Sequence, residues 1–437
     1  MTAVHPPLPI GAGDAGPLRR DDRIEAIDVL RGLALLGIIL VNASIFGLPL
    51  AAFVSGVVDG ESAGDRIAGT VVTVLAEHKF ISIFSLLFGF GLAMQRSRRI
   101  AATGRFAAFG LRRMAMLAGF GLIHALGIWF GDVLFVYAGV GAILIALLPL
   151  STAARGWIAI AAIGTTAVLT SGLGMIGLLV PSPPAEGADL TLRGVDAIIA
   201  ASGDPSHPTW IAAEIAAYRE GPAGDAFVFR GLSWAFGQIA AVFGFGWHVL
   251  GMALLGTWMF DTGFFEPRSQ ARRRRWAAIC LPVGLLLAIG VGVGWSIVGR
   301  DHLPLGPLLG AVHGIEAAII ALGIVSIVPE LVAGGRLPGA RAFAAVGRMS
   351  LTAYLLESVL FTGVMYSWGL GWFGTLGRLE LLGLAVVIYV VVAITCIAWG
   401  RRFGRGPLER LWRWGSYGRG TGRGERVAAP RTTPSGR

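Results

Sequence analysis

Ten stretches of this chain are apolar for long enough to cross about 30 Å of hydrocarbon, and that fact limits the fold more than any motif does. They fall at 27–47, 80–96, 113–130, 132–150, 156–180, 239–260, 277–299, 306–329, 349–370 and 379–400 of 437 residues. The expected fold is all-α: a polytopic membrane helix bundle of about ten transmembrane helices. The third and fourth stretches nearly touch across Trp129-Phe130-Gly131-Asp132, so they read either as two crossings or as a tight hairpin or re-entrant pair. Hydrophobic residues make up 55% of the chain and charged residues only 14%, which supports the membrane class. The first stretch starts late and is followed by nine more, so it reads as a retained span rather than a signal peptide. Gly244, Gly246, Gly251 and Gly256 give one span the small residues that let helices approach closely. Cys280 and Cys396 both lie inside apolar stretches, which leaves no disulfide framework and no cysteine metal motif.

Arginine supplies the orientation, because cytoplasmic connections carry the excess of positive charge. With the N-terminus inside, the alternating segments put 28 of the 36 Lys and Arg on the cytoplasmic face. The expected topology is N-in and C-in, in the plasma membrane. The net charge of +10 then reflects membrane topology and anionic lipid at the cytoplasmic face, and no nucleic-acid partner is expected. This divides the chain into a cytoplasmic N-terminal segment (1–26), a first bundle (27–180), an outer-side loop (181–238), a second bundle (239–400) and a basic tail (401–437). The loop opens on Pro181-Ser182-Pro183-Pro184, a stiff exit. Further on, Trp210, Ile211, Glu214, Ile215, Tyr218 and Arg219 are spaced as an amphipathic helix ending at Gly221-Pro222. Such a helix either lids an outward-facing site or lies as a strut on lipid. In the tail, a short interfacial helix is expected with Pro407 in its first turn, and the Gly, Arg, Pro and Thr beyond Gly415 are too poor in apolar residues to order.

Asp28 and Arg31 sit three apart at the entrance of the first span, on one helical face. An unpaired Asp or Arg at a helix centre costs roughly 2.5–3.5 kcal/mol on insertion scales, so a membrane protein keeps such groups for a reason. Several motifs here resemble a known family. They are Arg31-Gly32-Leu33 through Val41-Asn42, Lys79-Phe80 leading to Leu86-Leu87-Phe88-Gly89, and Ile123-His124 with Gly131-Asp132. Val346-Gly347-Arg348-Met349-Ser350-Leu351-Thr352-Ala353-Tyr354 and Arg405-Gly406-Pro407-Leu408-Glu409 complete the set. In this order they resemble the YeiB family, known by its domain of unknown function 418. More distantly, the segment from Arg31 to Asn42 resembles the opening helix of the transmembrane acyltransferases, the acyltransferase-3 and heparan glucosaminide acetyltransferase group. That resemblance implies transfer of an acyl group from cytoplasmic acyl-CoA to a sugar hydroxyl or amine on the far side. In the acyltransferase-3 pattern a catalytic histidine follows the arginine. Asn42 stands near that place here, and its amide can donate and accept hydrogen bonds but cannot act as a base.

The remaining candidates follow from that reading. His124 with Asp132 is the first choice for the base, since a carboxylate orients an imidazole, provided Gly131 turns Asp132 back. A lone intramembrane histidine that only packs is the alternative. Asp28, Arg31, Arg112, Arg113 and Arg348 lie at the cytoplasmic ends of the first, third and ninth spans. Arginine forks there suit the nucleotide diphosphate of an acyl-CoA donor, although ordinary topology also places arginines at such ends. Ser350, Tyr354 and Glu357 continue a polar stripe up the ninth span. His313 and Glu316 share one face of the eighth span and are read as a mutually satisfied pair in preference to the start of a metal site, so no metal is predicted. Glu77-His78-Lys79, which holds the only lysine, reads as an interface anchor or a substrate contact. The favoured function is a membrane-embedded acyltransferase-like protein acting on a cell-envelope sugar or lipid. A small-solute transporter with a midplane polar cavity and a non-catalytic receptor or scaffold are the alternatives.

Overall fold

The computed structural model describes residues 24–54, 60–177, 187–300 and 302–417. The N-terminal segment through Arg23, the Pro181-Ser182-Pro183-Pro184 exit and the tail beyond Tyr417 lie outside the described residues. The described residues hold helices and no strand. Lipid imposes this, since a helix satisfies every backbone polar group within its own segment. In chain order the helices are α1 (Glu25–Gly47), α2 (Leu50–Val54), α3 (Ala63–Leu75), α4 (Lys79–Thr103), α5 (Ala107–Gly127), α6 (Leu134–Leu147), α7 (Thr152–Gly177) and α8 (Gly194–Ala200). There follow α9 (Pro208–Arg219), α10 (Ala223–Ala240), α11 (Gly246–Asp261), α12 (Gln270–Val298), α13 (Leu305–Ala333), α14 (Ala340–Gly347), α15 (Ser350–Met365), α16 (Arg378–Phe403) and α17 (Pro407–Tyr417).

Each of the ten apolar stretches falls on a helix. Among the described residues, seven helical segments are long and apolar enough to cross a membrane, and the number is eight if α14 and α15, bent by 92° at their junction, are counted as one span. The protein is thus a polytopic helical membrane bundle. α6 has only 14 residues, about 21 Å of helix, which falls short of a crossing on its own. α10 begins at Ala223, ahead of the expected span start at 239. Arg230 hides that extension from a hydropathy reading; its guanidinium folds onto the C-terminal turn of α5, where Nε donates to Leu126 O at 3.1 Å. A π turn, Ala241–Phe245, links α10 to α11, with Gly244 outside helical geometry at φ −150°, ψ −105°.

α1 is central, packed against α4, α14, α15 and α16. Its crossing with α14 depends on two glycines. A methyl on Gly32 would overlap Phe343 O, and one on Gly347 would overlap Asp28 O. The α4–α11 crossing repeats the device, with Gly89 against Ala253 O and Gly256 against Leu86 O. α9 forms where the spacing placed it, but it docks on protein: Trp210, Glu214 and Tyr218 are buried, and Tyr218 stacks on Tyr366 with ring centroids 4.5 Å apart. That packing disfavours a strut lying free on lipid.

Candidate functional site

The start of α1, the end of α4, the start of α5, the α14–α15 corner and α17 meet at one end of the bundle, the arginine end. They enclose a cavity of about 340 Å³, a size usual for a small-molecule site. Its wall carries seven arginines, Arg31, Arg98, Arg99, Arg113, Arg348, Arg405 and Arg413, and two carboxylates, Asp28 and Glu409. Both carboxylates are engaged. Asp28 pairs with Arg31 at 3.5 Å. Glu409 accepts from the Leu351 and Thr352 amides at 2.8 and 3.0 Å and from Thr352 Oγ at 2.5 Å, which caps the first turn of α15. Among the described residues, arginines outnumber carboxylates on this wall. Arg113 lies over Trp412, 4.2 Å from its ring centroid, and the buried Nε atoms of Arg98 and Arg113 and Oε1 of Gln95 have no hydrogen-bond partner. Buried polar atoms seldom stay unpaired unless something else satisfies them.

At its deep end the cavity reaches Tyr137, Val133 and Tyr354. Tyr137 hydrogen-bonds Ser85 at 2.7 Å. Tyr354 donates to Gly131 O at 3.3 Å and meets the His124 ring edge-on, centroids 5.1 Å apart. Behind it, in the break between α5 and α6, Gly131 turns the chain so that Asp132 Oδ1 lies 2.9 Å from His124 Nδ1. Asp132 Oδ2 accepts from the Phe135 amide at 2.8 Å. Gly121 makes room for the carboxylate, since a methyl there would come within 2.7 Å of Asp132 Oδ2. His124 is fully buried and its Nε2 has no partner. The arrangement is an imidazole oriented by a carboxylate, its second nitrogen idle, one tyrosine ring away from a basic cavity.

The other sequence candidates separate. Asn42 is half-buried on α1 and does not line the cavity. Arg112 points to the exterior, and Glu357 is buried on α15 behind the wall with Oε1 unpartnered. Lys79, His313 and Glu316 belong to a different place, the opposite end of the bundle. Lys79 is not an interface anchor: it is fully buried, with Nζ 2.6 Å from Glu316 Oε1 and 2.7 Å from Thr73 O. His313 Nδ1 contacts the same Glu316 oxygen at 2.8 Å. Sequence reasoning missed Arg98, Arg99, Gln95, Tyr137 and the α17 wall, having assigned the arginines to topology and the tail to the interface. One signal was available. Two motifs of the family resemblance, Ser350-Leu351-Thr352 and Arg405 to Glu409, touch through the Glu409 cap.

Residues 259–419 match the model of the family described as protein of unknown function, DUF418. The chain is 28% identical over 403 residues to the uncharacterised protein YeiB of Escherichia coli, covering 90% of this chain and 96% of that protein. It is 27% identical over 413 residues to the uncharacterised protein YxaH of Bacillus subtilis, covering 92% and 96%. An uncharacterised 39.9 kDa protein of Bacillus acidopullulyticus matches at 36% over 129 residues, 30% of this chain and 35% of that one. The chain is similar to the YeiB and YxaH proteins over most of its length and to the DUF418 model over its C-terminal part. The DUF418 match takes in α12 through α17, so both halves of the Glu409 contact lie inside it, whereas His124, Asp132 and Arg31 lie before it.

Proposed function

We propose that this protein is a membrane-embedded acyltransferase of the plasma membrane, taking an acyl group from acyl-CoA bound at the arginine end. The observation that supports the reading is the contiguity of a basic cavity with a buried His–Asp pair through Tyr354. Arginine forks suit the phosphates of the donor, and Arg31, Arg98, Arg99, Arg113 and Arg348 would hold them. His124 lies about 16 Å of helix rise beyond Arg113 on α5, so an extended thioester arm runs along that helix toward Tyr137 and Tyr354. Rotation of the Tyr354 ring then uncovers His124 Nε2. The imidazole takes the proton of an acceptor hydroxyl, Asp132 holds the imidazolium, the oxygen bonds the acyl carbon, and the C–S bond breaks. The proton returns to the departing thiolate. The acceptor is a cell-envelope sugar or lipid. Asn42 lies outside the cavity and has no step in this scheme.

The test uses the full chain in detergent with labelled acetyl-CoA. Saturable binding is expected, together with slow hydrolysis or transfer that falls at least about a hundredfold in His124→Ala, while binding persists. Absence of acyl-CoA binding overturns the reading. Exchange of a solute across proteoliposomes with no acyl turnover identifies a transporter instead.

A further inference from the structure

The opposite end of the bundle holds a second cluster that shares no residue with the arginine cavity. Glu77 and His78 lie in the break between α3 and α4, His313 and Glu316 on one face of α13, and Arg300 in the connection from α12 to α13. The sequence alone pairs His313 with Glu316. The fold adds a carboxylate and an imidazole from another helix pair, so that one ligand atom each from Glu77, His78 and His313 lie within 4.8 Å of one another.

The bonding of His313 shows what this arrangement suits. Its Nδ1 is tied to Glu316 Oε1 at 2.8 Å, which fixes the tautomer and directs the Nε2 lone pair the other way. Nε2 is buried, has no hydrogen-bond partner and lies 3.9 Å from Glu77 Oε2. A histidine held by a carboxylate on one nitrogen and open on the other is how metal-binding imidazoles are prepared. The His78 ring centroid is 5.0 Å from that of His313. His78 adopts the left-handed conformation, φ 64°, which histidine, like asparagine and aspartate, enters more readily than most residues other than glycine. Nearby cations oppose a metal, but each is matched. Lys79 pairs with Glu316 at 2.6 Å, and Arg300 pairs with Glu77 at 2.8 Å while its guanidinium stacks 4.3 Å over Trp295. Arg300, about one-third exposed, donates to both Glu77 oxygens, Oε1 at 3.1 Å and Oε2 at 2.8 Å, and Thr73 Oγ donates to Oε2 at 2.9 Å, so metal binding must displace a donor from one of these oxygens. A third imidazole, His248, stands 6.4 Å from His78 with Nε2 on Ser82 at 2.6 Å and Nδ1 unpartnered.

We propose that Glu77, His78 and His313 bind one zinc ion, with Glu316 orienting His313 from behind. Two imidazoles and one carboxylate leave a fourth tetrahedral position for water or substrate. Ligand atoms about 2.0–2.2 Å from a tetrahedral zinc are about 3.3–3.6 Å apart, so the present spacing, within 4.8 Å, must contract on binding.

The full chain, purified through a tag without histidine and stripped with a chelator, is dialysed against zinc alone. About one zinc per chain is expected. His78→Ala and His313→Ala should each abolish retention, and His302→Ala, outside the cluster, should leave it intact. X-ray absorption on the wild-type zinc form should show two imidazoles in the ligand shell, which keeps the test decisive if a variant fails to fold. Stoichiometry near zero in the wild type, retention unaffected by both histidine changes, or a shell without two imidazoles overturns the assignment. None of these readouts depends on acyl transfer.

Discussion

The two ends of the bundle treat charge in opposite ways. At the arginine end seven guanidiniums face two carboxylates that are already committed, and the surplus lines a cavity. At the opposite end charges are deeper but individually matched: Lys79 by Glu316, Glu77 by Arg300, and the Glu214 carboxyl by the Leu50 amide at 3.1 Å. Matched buried charge governs stability. A surplus of cations among the described residues suits an anionic ligand, which on the proposed reading is the phosphate of the acyl donor. At the opposite end, buried imidazole nitrogens of His313 and His248 are among the atoms left without a hydrogen-bond partner in the described structure, and the proposed zinc would be held by coordination together with the Glu77 carboxylate.

The comparison breaks first at Lys79. Glu316→Leu alone strands a buried ammonium and should cost about 3–5 kcal/mol, whereas Lys79→Met with Glu316→Leu should recover most of it; thermal unfolding of the single and double variants decides. Equal losses in both would mean that the pair is not self-contained.

A second break point is Glu214. Burial outweighs the Leu50 hydrogen bond and raises its carboxyl from 4.5 to about 7. The folded state therefore holds this proton more tightly than the unfolded chain. Its stabilising effect is complete below about pH 4.5 and is lost as pH rises through about 7. The full shift corresponds to about 3 kcal/mol. Glu214→Gln should flatten the stability profile across that window, and an unchanged profile would show that the group ionises as in water.

The arginine end is probed next. Glu409→Gln weakens the charged cap on α15 by about 1.5–3 kcal/mol and should speed hydrogen exchange of the Leu351 and Thr352 amides. Arg113→Gln and Arg348→Gln should each lower affinity for acyl-CoA by about tenfold. Arg112→Gln, outside the cavity, should change nothing, and parity among the three would reduce the wall to ordinary topology.

Much of the bundle was legible because hydropathy is a local property, and each apolar stretch found its helix. The His124–Asp132 contact was legible too, since Gly131 between them signalled the turn that closes it. What escaped was assembly across distant segments. Arginines of the 96–113 connection and of the tail look alike in sequence whether they meet lipid or a cavity, and only the docking of α17 on α5 and α15 distinguishes them. The tail helix also continues through Ser416, which is buried, past the expected end of order at Gly415. Glu77 and His78 stood out in the sequence as an anchor or a substrate contact, but their partners did not, because those come from α13 and from the loop before it.

The brevity of α6 has a consequence for the surrounding lipid. A 14-residue helix covers about 21 Å where the hydrocarbon measures about 30 Å, a mismatch met by thinning of the leaflets or snorkelling of flanking side chains at fractions of a kcal/mol per ångström. The Gly131–Asp132 turn sits at one end of this helix. On the proposed acyl-transfer reading, headgroups drawn down beside it would bring a lipid-borne acceptor toward His124 without its leaving the bilayer, and activity should then vary with acyl-chain length in reconstituted membranes.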